Sequence, residues 1–261
     1  MDDANDRETA SQSRHAIDAS LFRGLLWQRT AFSIIHVDTP EPLRQFAFTL
    51  AAVLAEQNWT AADVLQDSRV IAGTNIIRRM GDLAVYESFI RCELVAMNPY
   101  RAATLTGSLL VGFFSASKAV LDAVTIALSV ALKLPLTRKE QDFAKRKFWA
   151  VLRNASRSVA EEIEPFRAFT ADVVRWRDAA VHRTTPLVVV DAYVERLADK
   201  SRERLRVDES WIRMAADPEA DIGSMDRNLK WIEPLDLPTA WQQKFEDLTV
   251  IAGRSVVASL Q

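Results

Sequence analysis

The fold turns on residues 106–135, TGSLLVGFFSASKAVLDAVTIALSVALKLP. Leu110, Phe114, Ser117, Leu121, Val124 and Leu128 recur at alternating steps of four and three, the repeat of one helix face. Pro135 stops the pattern. Residues 105–134 are also the most membrane-like part of the chain, but Lys118 and Asp122 sit in the middle, where hydrocarbon makes charge costly. The stretch therefore reads as a long buried core helix rather than a membrane span, and no membrane partner is expected.

Working outward, Asp82 is placed to cap a helix whose Leu83, Tyr86, Ile90, Leu94 and Met97 repeat at helical steps, with Gly81 ending whatever precedes it. On the other side, Thr137 and Glu140 have capping-box spacing and open a helix carrying Phe148, Val151, Ala155 and Val159 to about Ile163. Pro165 then suits the first turn of a helix with Phe166, Phe169, Val173, Trp176 and Ala180 on its core stripe, ending at Thr-Thr-Pro. Short connections force neighbouring helices to lie side by side, so the expectation is a mainly α protein built on an antiparallel four-helix up-and-down bundle over residues 82–185.

The flanks differ from this centre. Residues 1–16 read as a polar, acidic tail, and residues 17–81 as a mostly helical extension with one strand-like run at Phe32–Thr39. Residues 186–261 read as a small α/β extension packed on the bundle: LVVVDAYV suggests a strand, and Trp241, Phe245, Leu248, Ala252 and Val256 mark a closing helix. Strand-like pieces at the two ends are positioned to pair.

Composition narrows the function. Lys and Arg number 33 against 35 Asp and Glu, a net charge of −2, which argues against coating nucleic acid by bulk charge. One cysteine, Cys92, excludes an internal disulfide framework and a thiolate zinc site, and fits a reducing cytoplasm. The seven glycines include no phosphate-cradling GxxxxGK or GxGxxG pattern. His15, His36 and His182 lie far apart and none has metal-ligand spacing, so neither metal nor cofactor is expected. His15 falls in the tail, and His36 in the strand-like run, where a packed histidine is the plainer reading.

VVRWRDAAVHRTTP, residues 173–186, holds the candidate chemistry. Asp178 and His182 are four apart and share a face with Arg175, so the carboxylate can bond the imidazole; Arg177 lies about 140° round the helix from His182. Val174 and Val181 fall between them on a face the bundle core does not use, which suggests a second buried surface. An imidazole titrating near neutrality can move a proton, and a guanidinium can grip a phosphate in a planar fork. Against this stands electrostatic capping: Arg177, His182 and Arg183 near a helix C-terminus are favoured by the macrodipole alone. Between Lys133 and Arg157 there are eight Lys or Arg and two acids, among them Lys145, Arg146 and Arg153; these can track a nucleic-acid backbone or form a solvated face.

RDAAVH, placed at the end of the fourth helix, resembles the signature of the HEPN superfamily: an Arg, commonly followed by a polar residue, then a His after four to six positions. The stretch around Lys118, Leu121 and Asp122 is similar to a pattern in the second helix of one HEPN subgroup. The resemblance spans roughly residues 83–186. It implies a helical bundle that pairs, through the helix bearing Arg177 and His182, into a homodimer with a composite, metal-independent ribonuclease site. Arg177 and His182 would be catalytic and Asp178 the polar residue after the Arg, with Arg183, Lys145, Arg146, Lys118 and Asp122 as substrate-binding candidates. Lys118 and Asp122 face the dimer groove in that reading, or form a plain solvated pair. The expected partner is RNA, with an antitoxin or defence protein as a further one. The alternative is a non-catalytic HEPN module that binds RNA, nucleotide or a protein partner.

Overall fold

A computed structural model of the protein describes residues 41–57, 59–95, 99–182, 185–199, 202–221, 223 and 229–261. The tail, the strand-like run at 32–39, His15, His36 and Arg183 lie outside these residues.

Helix α4, Pro99–Ala131, is the axis of the molecule. It follows α1 (Glu41–Glu56), α2 (Ala61–Gln66) and α3 (Ser68–Leu94). Leu110, Phe114, Ser117, Leu121, Val124 and Leu128 are all buried, as their spacing predicts, and Phe113, Val120 and Ala127 are buried as well. A helix buried on several faces must house its hydroxyls. Ser117 Oγ donates to Phe113 O at 2.9 Å and Ser129 Oγ to Thr125 O at 2.6 Å, so these polar side chains are satisfied by the preceding turn. By length and composition α4 could cross a membrane, and half of its most apolar window is buried inside the protein.

Gly81 does not stop a helix. Helix α3 starts at Ser68, where Asp67 accepts from the amides of Arg69 and Val70, and it runs unbroken through Gly73 and Gly81 to Leu94. One glycine in a helix interior costs about 1 kcal/mol, which the buried face of Val70, Ile76, Ile77, Met80, Leu83 and Ile90 outweighs. Asp82 pairs with Arg79 at 3.1 Å instead of capping, and the boundary expected at 81/82 falls inside the helix.

The stretch expected as one helix from Thr137 divides. Glu140 does accept from Thr137 N at 2.9 Å, but the residues after it form turns, and the helical parts are α5 (Arg146–Ala155) and α6 (Arg157–Ile163). Ser156, at φ −151°, breaks the helix and re-registers the stripe, so Leu152, Ala160 and Ile163 are buried while Ala155 is exposed. Phe143 pins the preceding loop: its ring lies 5.3 Å from Phe148, and its carbonyl accepts from Trp149 Nε1 at 2.7 Å.

A 3₁₀ turn at Glu164–Phe166 places Pro165 where its missing amide costs nothing, and α7 (Arg167–His182) follows. After a three-stranded antiparallel sheet the chain closes with α8, Asp236–Leu260. The main helical neighbours of α4 are α3, α7 and α8. Trp241 lies 5.5 Å from Phe114 and 5.8 Å from Phe169, and Phe245 lies 4.9 Å from Phe169. The closing helix thus supplies part of the main core, and one buried cluster links residues from α1 through α8. Its last turn is held from outside: Arg69 Nη1 donates to Ser259 O and Gln57 Nε2 to Leu260 O, each at 2.5 Å.

In the sheet, β1 (Val188–Asp199) pairs with β2 (Arg202–Ala215), and β2 with β3 (Trp231–Ile232). Val188 faces Met214 in register, and a bulge shifts the pairing between Tyr193 and Val194. Met214 at the base of this ribbon is fully buried, and β1 and β2 both pack on α4.

Candidate functional site

Helix α7 is oriented by its apolar face. Trp176 stacks 4.9 Å from Phe114, and Phe169, Val173 and Ala179 are buried with it. Fixing those residues inward turns Arg177, Asp178, Val181 and His182 away from the core, where the last helical turn meets solvent.

Arg177 is the hub of this turn. Its Nη1 donates to Asp178 Oδ1 at 2.8 Å and contacts His182 Nε2 at 3.1 Å. A guanidinium has no acceptor, so a hydrogen bond across this contact requires Nε2 to offer its lone pair and the ring N–H to be at Nδ1. The expected Asp178–His182 bond is replaced by this chain, because the long arginine reaches both partners and the short aspartate turns to its neighbour. The Arg177 side chain is 33% exposed and that of Asp178 51%, so the guanidinium can be reached from solvent by an anion that displaces the Asp178 carboxylate. Val174 is half-buried and Val181 is 43% exposed, leaving an apolar residue uncovered beside His182. His182 ends the helix, where a cation would also be favoured by the dipole.

The other candidates stand elsewhere. Lys118, 19% exposed, is ion-paired with Asp122 and lies 3.9 Å from Asp142, so it clamps the 134–145 loop onto α4. Asp142 was not singled out from sequence, since nothing local relates it to a lysine 24 positions earlier. Lys145 and Arg146 are exposed at the start of α5, just after the loop residues Gln141 and Asp142 that lie against Thr125 and Lys118 of α4. The far end of α7 leads to the other half of α4: a Cβ built on Gly107 would lie 3.5 Å from Thr185. Trp176, next to Arg177, meets α4 at Phe114, whereas the 134–145 loop meets it at Lys118 and Thr125, so roughly 6–17 Å of helix, at about 1.5 Å per residue, separates the two levels. Within one chain, then, Arg177, Asp178 and His182 come together, while Lys118, Asp122, Lys145 and Arg146 do not join them.

A groove between α3 and α4, lined in part by Arg79, Tyr86, Phe89, Gly112 and Ser115, went unnoticed in the sequence. Its signal was Gly112 inside an apolar helix, where a Cβ would lie 2.2 Å from the Tyr86 ring. Among the described residues, no three His, Cys, Asp or Glu side chains are grouped to hold a metal ion. No family model, curated protein or solved structure matches this chain.

Proposed function

We propose that the protein is a metal-independent endoribonuclease of HEPN type, with Arg177 and His182 as its catalytic pair. The observation that carries this reading is the 3.1 Å contact between Arg177 Nη1 and His182 Nε2 on an exposed helix end. It sets an imidazole beside a guanidinium, a proton-transfer group next to a phosphate grip.

In the proposed reaction a scissile phosphate draws the guanidinium away from Asp178 and Nε2. The freed Nε2 takes the proton of the ribose 2′-hydroxyl, and that oxygen bonds to phosphorus. The bond from phosphorus to the 5′-oxygen breaks, and the proton held by His182 passes to the leaving oxygen. The products are a 2′,3′-cyclic phosphate and a 5′-hydroxyl. Arg177 stabilises the charge that builds on the phosphoryl oxygens, the kind of interaction that lowers the barrier most. Asp178 holds the guanidinium in place until substrate arrives.

The reading includes a homodimer. Val181 is uncovered next to His182, and a second α7 laid across it would bury Val174 and Val181 and bring two Arg–His pairs into one groove. A role in a toxin–antitoxin, stress or anti-phage system in the cytoplasm, with an antitoxin or defence protein as partner, belongs to the same proposal.

The experiment is cleavage of single-stranded RNA in EDTA by wild type, His182→Ala and Arg177→Ala. Cleavage in EDTA that both substitutions abolish is the expected result. Activity that disappears with EDTA, or survives both changes, overturns the mechanism. RNA bound but not cut by wild type turns the reading to a non-catalytic binding module.

A further inference from the structure

Between Lys133 and Arg157 the cations divide into two groups. Lys147 is bonded to Glu140 at 2.7 Å, Arg153 to Glu164 at 2.8 Å and Arg157 to Glu161 at 2.7 Å, the interleaved pairing of an ordinary solvated face. Lys133, Arg138, Lys139, Lys145 and Arg146 are exposed, and among the described residues none of them makes an ion pair. Both acids of their own segment are engaged. Glu140 is held by Thr137 N and Lys147, and Asp142 accepts from Ala144 N at 2.9 Å while facing Lys118.

The backbone that carries these cations is pinned. Leu134 and Phe143 are buried, Thr125 Oγ1 donates to Gln141 O at 3.0 Å, and Trp149 Nε1 holds the Phe143 carbonyl. Five uncompensated charges on an anchored loop, in a chain whose net charge is −2, make a local electropositive surface with little backbone ordering left to lose on binding.

We propose that the 133–146 loop is an RNA-backbone exosite, separate from the Arg177–His182 pair. Naming RNA rests on the ribonuclease reading; the surface itself rests on the unpaired cations. The loop meets α4 at Lys118 and Thr125, about one to three turns along from the Phe114 that stacks on Trp176, so a strand of several nucleotides can engage both places while a dinucleotide held at the pair presents a single phosphate. The loop therefore sets a preference for substrate length by binding phosphates, without touching the bond that is cut.

The test uses the full chain carrying His182→Ala, so that RNA is bound and not consumed, and a labelled unstructured RNA of about 30 nucleotides. Fluorescence anisotropy is followed through a salt titration, with and without Lys139→Gln, Lys145→Gln and Arg146→Gln together. The triple change should weaken binding by roughly tenfold or more and flatten the slope of log K against log salt by about 2, while Lys139→Arg with Lys145→Arg keeps both. Unchanged binding in the triple variant overturns the exosite. So does failure to bind RNA at all, including the case in which anionic phospholipid vesicles bind instead.

With His182 restored, the triple change should lower kcat/KM for the long RNA and leave a dinucleotide unaffected. RNA held by the loop but never cut removes the ribonuclease reading and leaves the exosite standing. Cleavage equally unaffected at both lengths removes the exosite and leaves the ribonuclease.

Discussion

Arg177 Nη1 lies 3.1 Å from His182 Nε2, although the two residues point about 140° apart round α7. The long guanidinium stem closes the gap at the last turn of the helix, which ends at His182. The planar fork is what serves both imidazole and phosphate, so charge alone should not replace it. Arg177→Lys is expected to lower the single-turnover cleavage rate by roughly a hundredfold, and His182→Ala by a hundredfold to ten-thousandfold. Both residues are outside the core, so melting temperatures should barely move. Wild-type rates for Arg177→Lys would remove the phosphate-gripping role.

Gly112 lets Tyr86 lie against α4, because a Cβ there would sit 2.2 Å from the ring. Gly112→Ala gains helix propensity but must displace Tyr86, and a net loss of about 1–2 kcal/mol is expected by denaturant unfolding. Removing the ring should remove the conflict. In a Tyr86→Ala background, Gly112→Ala should be neutral or stabilising, and additive behaviour in that double-mutant cycle would show that the ring is not the cause.

Lys133 is a non-glycine residue in the left-handed region, at φ 51°. It stands there because α4 ends in a Schellman arrangement: Leu134 N donates to Ser129 O at 2.8 Å and Lys133 N to Val130 O at 3.3 Å. A Cβ in this conformation costs about 1 kcal/mol that glycine does not incur. Lys133→Gly should therefore raise stability by up to about 1 kcal/mol in a urea melt, whereas Lys133→Val should lower it.

Glu140 is held down to about 2 from an ordinary 4.5, first by its bond from Lys147 and then by the Thr137 amide. A carboxylate whose folded-state pKa is depressed contributes stability above the unfolded value, and that contribution fades as pH falls from 4.5 toward 2. Glu140→Gln should melt below wild type at pH 7, with the gap closing through this acid window. The pair is exposed, so the gap should be small and should shrink with added salt. A gap independent of pH would mean that the carboxylate's charge is not involved.

Particular residues show why some of this was readable in advance. The six-residue stripe from Leu110 to Leu128 and the stripe of Trp241, Phe245, Leu248, Ala252 and Val256 are buried throughout, because a long apolar repeat leaves a helix no other stable choice. Thr137 and Glu140 were recognised as partners yet do not begin an α-helix, since one bond between them is equally compatible with a turn. Gly81 looked like a stop, and packing on both sides of it carried the helix through. At the candidate site, the place of Arg177 and His182 at the end of an amphipathic helix, and the resemblance that goes with it, single them out where spacing alone does not, whereas their direct contact, and the turning of Asp178 to the arginine, depend on how far each side chain reaches.

From sequence alone came the helical centre, the buried face of its longest helix and the placing of an Arg and a His at the end of an amphipathic one. These are properties of period and local chemistry, which a chain carries wherever it folds. Only the tertiary structure decided that α8, and not a helix opened at Thr137, is the helical neighbour of α4 beside α7. Only it decided that Lys118 is committed to Asp122 and Asp142 while Lys139, Lys145 and Arg146 are left unpaired. Periodicity requires that a face be buried but not against what, and charge requires a partner whose distance is set by elements far apart in the chain.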